Sequence, residues 1–217
     1  MRILVTAFEP FGNDSENASA GALRELLATW RDPAVELVGA ELPVVFDDAS
    51  LRRAVAEYRP DLLVALGEAG GRHAITPERV ARNEMSARIP DNAGARPQGE
   101  PVETGAPAER ATALDVDTLV EAMREAGWAA EPSDEAGRFV CNFVAFHAYG
   151  MDVPSVFIHV PAVRSEGEAK VGAETGGAVT ATRGREPRTV AELAEALAAA
   201  LRRLRPSSPP SGRATTA

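Results

Sequence analysis

At 217 residues, 45% of them apolar, the chain is long enough for one α/β domain with a sizeable core. A formal net charge of −9 excludes nucleic acid or an anionic membrane surface as the main partner. One cysteine excludes an intrachain disulfide framework and suits a reducing compartment. With no stretch that reads as a signal peptide or a membrane span, the expected location is the cytoplasm.

Ile3 to Ala7, led by Arg2, is a short apolar run that reads as a buried strand. Phe8-Glu9-Pro10-Phe11-Gly12-Asn13 breaks it and reads as a loop, whose phenylalanines either cap the core or wall a ligand. Asn17 and Ser19 offer N-cap chemistry for a helix running to about Trp30. Val35 to Leu42 reads as a second strand, and Asp47 to Tyr58 carries apolar residues at helical spacing. Asp61 to Leu66 is apolar almost throughout, as expected of a strand covered on both faces. Strand, helix, strand in this order implies right-handed crossovers and a parallel sheet.

Gly67-Glu68-Ala69-Gly70-Gly71-Arg72 follows and reads as a glycine loop that lets backbone approach a ligand. It lacks the Gly-Lys-Ser/Thr ending of a phosphate cradle, so a wall of the ligand crevice is the better reading. Residues 75–92 suggest a hairpin-like excursion of short strands, with Pro90-Asp91-Asn92 as a turn. Residues 93–109, rich in Gly and Pro, read as a long surface loop. Asp115 to Ala126 is an amphipathic helix ended by Gly127, and Ser155 to Val160 is another buried strand. Residues 165–188 read as loop, and Thr189 to Leu204 as the last packed helix. Residues 1–205 then form the domain and 206–217 a disordered tail.

The stretch Ser133 to Gly150 holds the lone Cys141 at the start of a helical pattern, just after Gly137. A thiol in the first turn of a helix faces unpaired backbone N–H groups and the positive end of the dipole, which favour the thiolate. The competing reading is a small buried hydrophobe. A reactive thiol needs a base, and the chain has three histidines. His147 lies six residues on, where helical geometry turns it away from Cys141. His73 follows the glycine loop. His159 ends an apolar strand beside Pro161, on the edge where such sheets keep their sites, and is best placed. Glu78, in a polar motif after the glycine loop, reads by spacing alone as a solvated charge or the partner of a nearby arginine.

In combination, six motifs resemble the cysteine-dependent, type I pyroglutamyl peptidase (pyrrolidone-carboxylate peptidase) family. They are Thr6 to Gly12, Gly67 to Arg72, Thr76 to Asn83, Ala87 to Asn92, Ala136 to Asn142 and Phe157 to Pro161. The resemblance implies a single-domain, open three-layer α/β/α sandwich with a mostly parallel twisted sheet and a short antiparallel excursion. It implies a catalytic triad of Cys141, His159 and Glu78, with Arg88 and the backbone N–H of Cys141 near the oxyanion. Phe8, Phe11, Phe139 and Val140 match positions that enclose the lactam ring, and Asn17 and Glu68 join them as substrate-binding residues. The implied reaction cleaves the bond after an N-terminal pyroglutamyl residue of a peptide through a thioester, without metal or cofactor. A homodimer or homotetramer is the implied assembly. Glu68 departs from the family's usual glutamine and Phe146 from a common tyrosine. Glu68 motivates an alternative amidase activity on another small lactam or acylated amine. A non-catalytic binding protein on the same fold is the third reading.

Overall fold

The first strand, β1 (Arg2–Phe8), is buried from Ile3 to Phe8 and lies inside the sheet, one strand from its edge. It pairs in parallel with β2 (Glu36–Leu42) on one side and with β3 (Leu62–Ala69) on the other. Next come β9 (Ser155–Pro161), parallel to β3, and the edge strand β4 (Thr76–Glu78), antiparallel to β9. The order is β2-β1-β3-β9-β4. The computed structural model describes residues 1–12, 14–164 and 183–204, so the expected 206–217 tail and most of the expected 165–188 loop lie outside the described residues.

Period-two alternation sorts the sheet's side chains into two cores. Ile3, Val5, Leu62, Val64, Leu66, Val156, Ile158 and Val160 face one layer. That layer holds α1 (Ala18–Thr29), α3 (Val116–Glu125) and α5 (Val190–Leu201). Leu4, Phe8, Leu63, Ala65 and Phe157 face the other, which holds α2 (Ala49–Tyr58) and α4 (Val140–Tyr149). The result is the expected α/β/α sandwich. The Asn17 side chain accepts from Ser19 N–H, the expected cap of α1, and two further helices carry side-chain caps: Asp115 accepts from Asp117 and Thr118, and Thr189 from Glu192.

The structure corrects the sequence reading in three places. Phe8 ends β1 rather than opening a loop. β3 does not stop at Leu66 but runs through Gly67 and Glu68 to Ala69, because β9 supplies a parallel partner along its whole length. The 75–92 stretch is not a hairpin with itself. Its strands pair elsewhere: β4 with β9, β5 (Val80–Arg82) with β8 (Glu109–Ala111), and β6 (Met85–Ser86) with β7 (Gln98–Glu100). The exposed 93–109 segment thus contributes β7 and the start of β8.

One side chain fixes the β5 segment to α4. Asn142 is fully buried, accepts from Arg82 N–H at 2.7 Å, and donates to the carbonyls of Arg82 (2.9 Å) and Glu84 (3.0 Å). Asn142→Ala leaves those backbone groups without their partner. The expected loss is on the order of 3 kcal/mol, read as a lower urea midpoint at unchanged m.

Candidate active site

Ligands in open α/β sheets bind beyond the strand C-termini where the order reverses. Here that point lies between β1 and β3. Their pairing stops at Thr6↔Ala65, while β3 continues beside β9 to Ala69↔Pro161, so a crevice opens between Phe8 and the last turn of β3. Phe8 N–H is capped by the Ser19 hydroxyl (3.1 Å) instead of a strand.

The start of α4 closes over this crevice. Gly137, at φ 79°, makes the left-handed turn that leads to the helix, and its N–H donates to Glu135 Oε1 at 3.0 Å. Cys141 is the second residue of α4, and its sulfur rests against Gly67. A Cβ at Gly67 would stand 2.9 Å from Sγ and 2.6 Å from the Phe157 ring, so no larger residue fits there. Gly67 is also the in-register partner of His159. Such partners project to the same face of a parallel sheet, which places the imidazole on the thiol's side.

His159 and Glu78 are both fully buried, and Nδ1 lies 2.7 Å from Glu78 Oε1. An ionised carboxylate only accepts, so Nδ1 carries the proton and Nε2 is left as a lone pair. That Nε2 is buried without a hydrogen-bond partner. Burial pushes the Glu78 carboxyl up. The hydrogen bond and charge of His159, with the Arg72 guanidinium, outweigh it and hold the carboxyl below its ordinary range. Arg72 Nη1 donates to the same Oε1 at 2.5 Å, so Glu78 is a salt-bridge partner of an arginine but not a solvated charge. Burial likewise lowers His159, against the pull of Glu78, and keeps the imidazole neutral.

The thiol does not match the expected thiolate. Burial pushes Cys141 up to about 12, with the Arg72 charge pulling the other way. Cys141 is only 9% exposed, and desolvation exceeds what a helix terminus offers. At rest the site therefore holds a protonated thiol beside a neutral imidazole with a free lone pair.

The other histidines lie elsewhere. His73 is exposed, 3.5 Å from Glu186. His147 packs on Phe143 with ring centroids 4.5 Å apart, its Nδ1 3.2 Å from Asp48. Near the crevice, Phe11 meets Phe139 at 5.0 Å, and Val140 and Phe8 join the same core. Phe46, which sequence reasoning missed, stands edge-on to Phe139 at 5.4 Å. Its N–H donates to the buried Asp91, which also accepts from Ala93 and Ala95, as the Pro90-Asp91-Asn92 turn signal predicted. Arg88 is exposed in the bend just before that turn.

The polar groups of Asn17 serve the fold, capping α1 and donating to the Glu9 carbonyl at 3.0 Å. Because β3 continues past Leu66, Glu68 points to the face opposite Cys141. Its carboxylate takes both terminal nitrogens of Arg164 (2.6 and 2.7 Å) and the N–H of Ala18 (2.6 Å). Arg164 also reaches Asp14 at 3.1 Å. Tyr149, also missed, donates to the Glu78 carbonyl (2.7 Å) and accepts from Phe157 N–H (3.1 Å), bridging β4 to β9 behind the carboxylate.

Both His159 and Glu78 have folded-state pKa values below their unfolded ones, so the unfolded chain binds more protons on acidification. Their stabilisation is complete above 6.5 for His159 and above 4.5 for Glu78, and is lost as pH falls from those values through the folded ones. The thermal midpoint should therefore fall as pH drops below about 6.5, with a further loss below about 4.5. Calorimetry across that range checks both steps, and Glu78→Gln should shrink the second, leaving the part that Glu192 and Asp115 contribute.

Comparison with known proteins identifies the family. The pyroglutamyl peptidase family profile matches residues 1–186. The chain is 44% identical over 168 residues to a pyrrolidone-carboxylate peptidase of Streptomyces coelicolor, covering 74% of this chain and 77% of that one. It is 38% identical over 169 residues to the Levilactobacillus brevis protein of the same name, covering 74% and 82%. Among solved structures, pyroglutamyl peptidase I of Bacillus amyloliquefaciens superposes with a TM-score of 0.77 at 33% identity, covering 92% of this chain and 94% of that one. A mutant pyrrolidone carboxyl peptidase of Pyrococcus furiosus gives 0.78 at 30% identity, covering 93% and 97%. A thiol and an imidazole set on either side of one glycine, in a chain this similar over most of its length, have a single reading: the protein belongs to the pyroglutamyl peptidase family of cysteine peptidases.

Proposed function

We propose that Cys141, His159 and Glu78 carry the chemistry of a cysteine peptidase that removes an N-terminal pyroglutamyl residue from peptides. The partnerless, buried Nε2 of His159 carries the proposal. A lone pair held without solvent, with its ring fixed through Nδ1 to Glu78, is a base waiting for a proton. The thiol that shares Gly67 with it supplies that proton.

His159 Nε2 takes the Sγ proton as Sγ attacks the pyroglutamyl carbonyl carbon, and negative charge moves to the carbonyl oxygen. The N–H of Cys141, in the first turn of α4, and Arg88 donate to that oxyanion. One such donor contributes about 10²–10³ in kcat. The intermediate collapses, the C–N bond breaks, and His159 passes its proton to the leaving amine. Water, deprotonated by the same imidazole, then hydrolyses the thioester, releasing pyroglutamate and restoring the thiol. Glu78 fixes the tautomer and stabilises the imidazolium formed in between.

Phe8, Phe11, Phe139 and Val140 form the slot for the flat lactam ring, with Phe46 bracing Phe139. Asn17 supports the slot by holding the Glu9 carbonyl, and Glu68 takes part through its backbone at the crevice edge. The amidase alternative rested on the Glu68 carboxylate meeting the lactam. That carboxylate is committed to Arg164 and Ala18 on the other face. A catalytic thiol requires a reducing compartment, which supports a cytoplasmic location. Assembly as a homodimer or homotetramer belongs to the same proposal and rests on family membership.

Release of a reporter amine from a pyroglutamyl conjugate tests the reading. Cys141→Ser should lower kcat by about 10⁶ with the thermal midpoint unchanged; retained turnover would place the nucleophile elsewhere. Glu68→Gln should leave kcat/KM on the conjugate nearly unchanged. It should cost about 1–3 kcal/mol of stability, because Arg164 loses one of its counter-charges. A rise in turnover would mean that the side chain reaches the ring.

A further inference from the structure

The mechanism above gives no task to the most costly side chain near the site. Arg72 is 3% exposed, and burying a guanidinium is expensive unless its donors are matched. Its matching is specific. Nη1 donates to Glu78 Oε1 and to the Thr76 hydroxyl, and Nη2 donates to the Glu135 carbonyl at 2.6 Å. Thr76 is the in-register partner of His159 on β4. Glu135 lies in the turn that leads through Gly137 into α4. One guanidinium therefore ties the carboxylate that holds the base to the segment that delivers the nucleophile.

The shared oxygen has an electrostatic effect. With His159 alone, a buried Glu78 carboxylate would favour a second proton on the imidazole as a closed imidazolium–carboxylate pair. Nε2 would then be a donor, unable to take the thiol proton. With Arg72 at the same oxygen, the carboxylate already has its cation. The described titratable groups around the imidazole are few. Glu78 comes from β4, Cys141 from α4 across Gly67, and Arg72 from the turn after β3. The Tyr149 hydroxyl is spent on backbone, and Glu68 is turned to the other face against Arg164.

We propose that Arg72 is a positioning residue that acts through Glu78, keeping the imidazole an open base at rest and so setting the pH above which the peptidase is active. This deepens the reading in which His159 is the base and rests on it. The Arg72 charge works in the same direction on both members of the pair, lowering His159 and opposing the rise of Cys141.

The test is kcat and KM from pH 5 to 9 on a pyroglutamyl reporter amide (conditions about two units either side of neutrality) for the parent, Arg72→Gln, Arg72→Lys and Glu78→Gln. Thermal midpoints are measured beside them. In Arg72→Gln, kcat/KM should fall about 10- to 100-fold, through kcat and not KM, and its acidic limb should move to higher pH. Arg72→Lys keeps the charge and should return the limb toward the parent position. Adding Arg72→Gln to Glu78→Gln should cost little more, since the residue acts through that carboxylate. A limb that stays in place in Arg72→Gln, or full additivity with Glu78→Gln, overturns the proposal. If Arg72→Gln does not fold, Arg72→Lys decides: an unmoved limb supports the proposal, and a displaced limb with the charge kept overturns it. A parent chain inactive on the reporter would sink the peptidase reading itself, a separate outcome.

Discussion

The absence of a side chain at Gly67 is the constraint from which the site is built. A helix normally stands off a sheet by the width of its side chains, yet here the sulfur of Cys141 and the ring of Phe157 both occupy the space a Cβ would need. That close approach brings the first turn of α4 down onto β3, next to the strand that carries His159. Removing one methyl's worth of atoms from the middle of the sheet thus converts two distant stretches, 137–141 and 157–159, into neighbours. The surrounding parts serve this contact. Asn142, next to the thiol in sequence, pins the helix to β5, and Tyr149 at its far end pins β4 to β9.

Burial of charge is the second theme, and on either side of the crevice it is resolved by ion pairing. Glu78 meets Arg72 and His159; Arg164 meets Glu68 and Asp14. Such pairs are weak evidence for stability, because desolvation cancels much of the attraction. Their value is positional. The first pair aims an imidazole. The second joins the end of β3 to the start of α1, on the other side of the crevice. The two lie on opposite faces of the sheet.

Much of this was legible in the chain. The strand and helix order came from apolar periodicity, the cap of α1 from Asn17, and the thiol's place in the first helical turn from Gly137 and the helical pattern that starts at Cys141. Family motifs named Glu78 beside His159, a partnership that spacing alone left open and that the structure shows as a hydrogen bond. Other features were hidden for physical reasons. Gly67 and Glu68 have low strand propensity, so the run seemed to end at Leu66, and the extra length is what turns Glu68 away from the thiol. β4 is three residues long and pairs with a strand about eighty residues away, a register no local signal encodes. Arg72 read as the tail of a glycine loop, since nothing in its neighbours reveals that it is buried.

The covered, protonated sulfur has a consequence for the protein between turnovers. Peroxide attacks thiolates that solvent can reach, taking them to sulfenic acid and then to states the cell does not reverse. The Cys141 sulfur, kept as a neutral thiol at 9% exposure, is neither ionised nor open. The resting thiol is thereby shielded from oxidation, and in the proposed mechanism its vulnerability is confined to the moments when the proton leaves it.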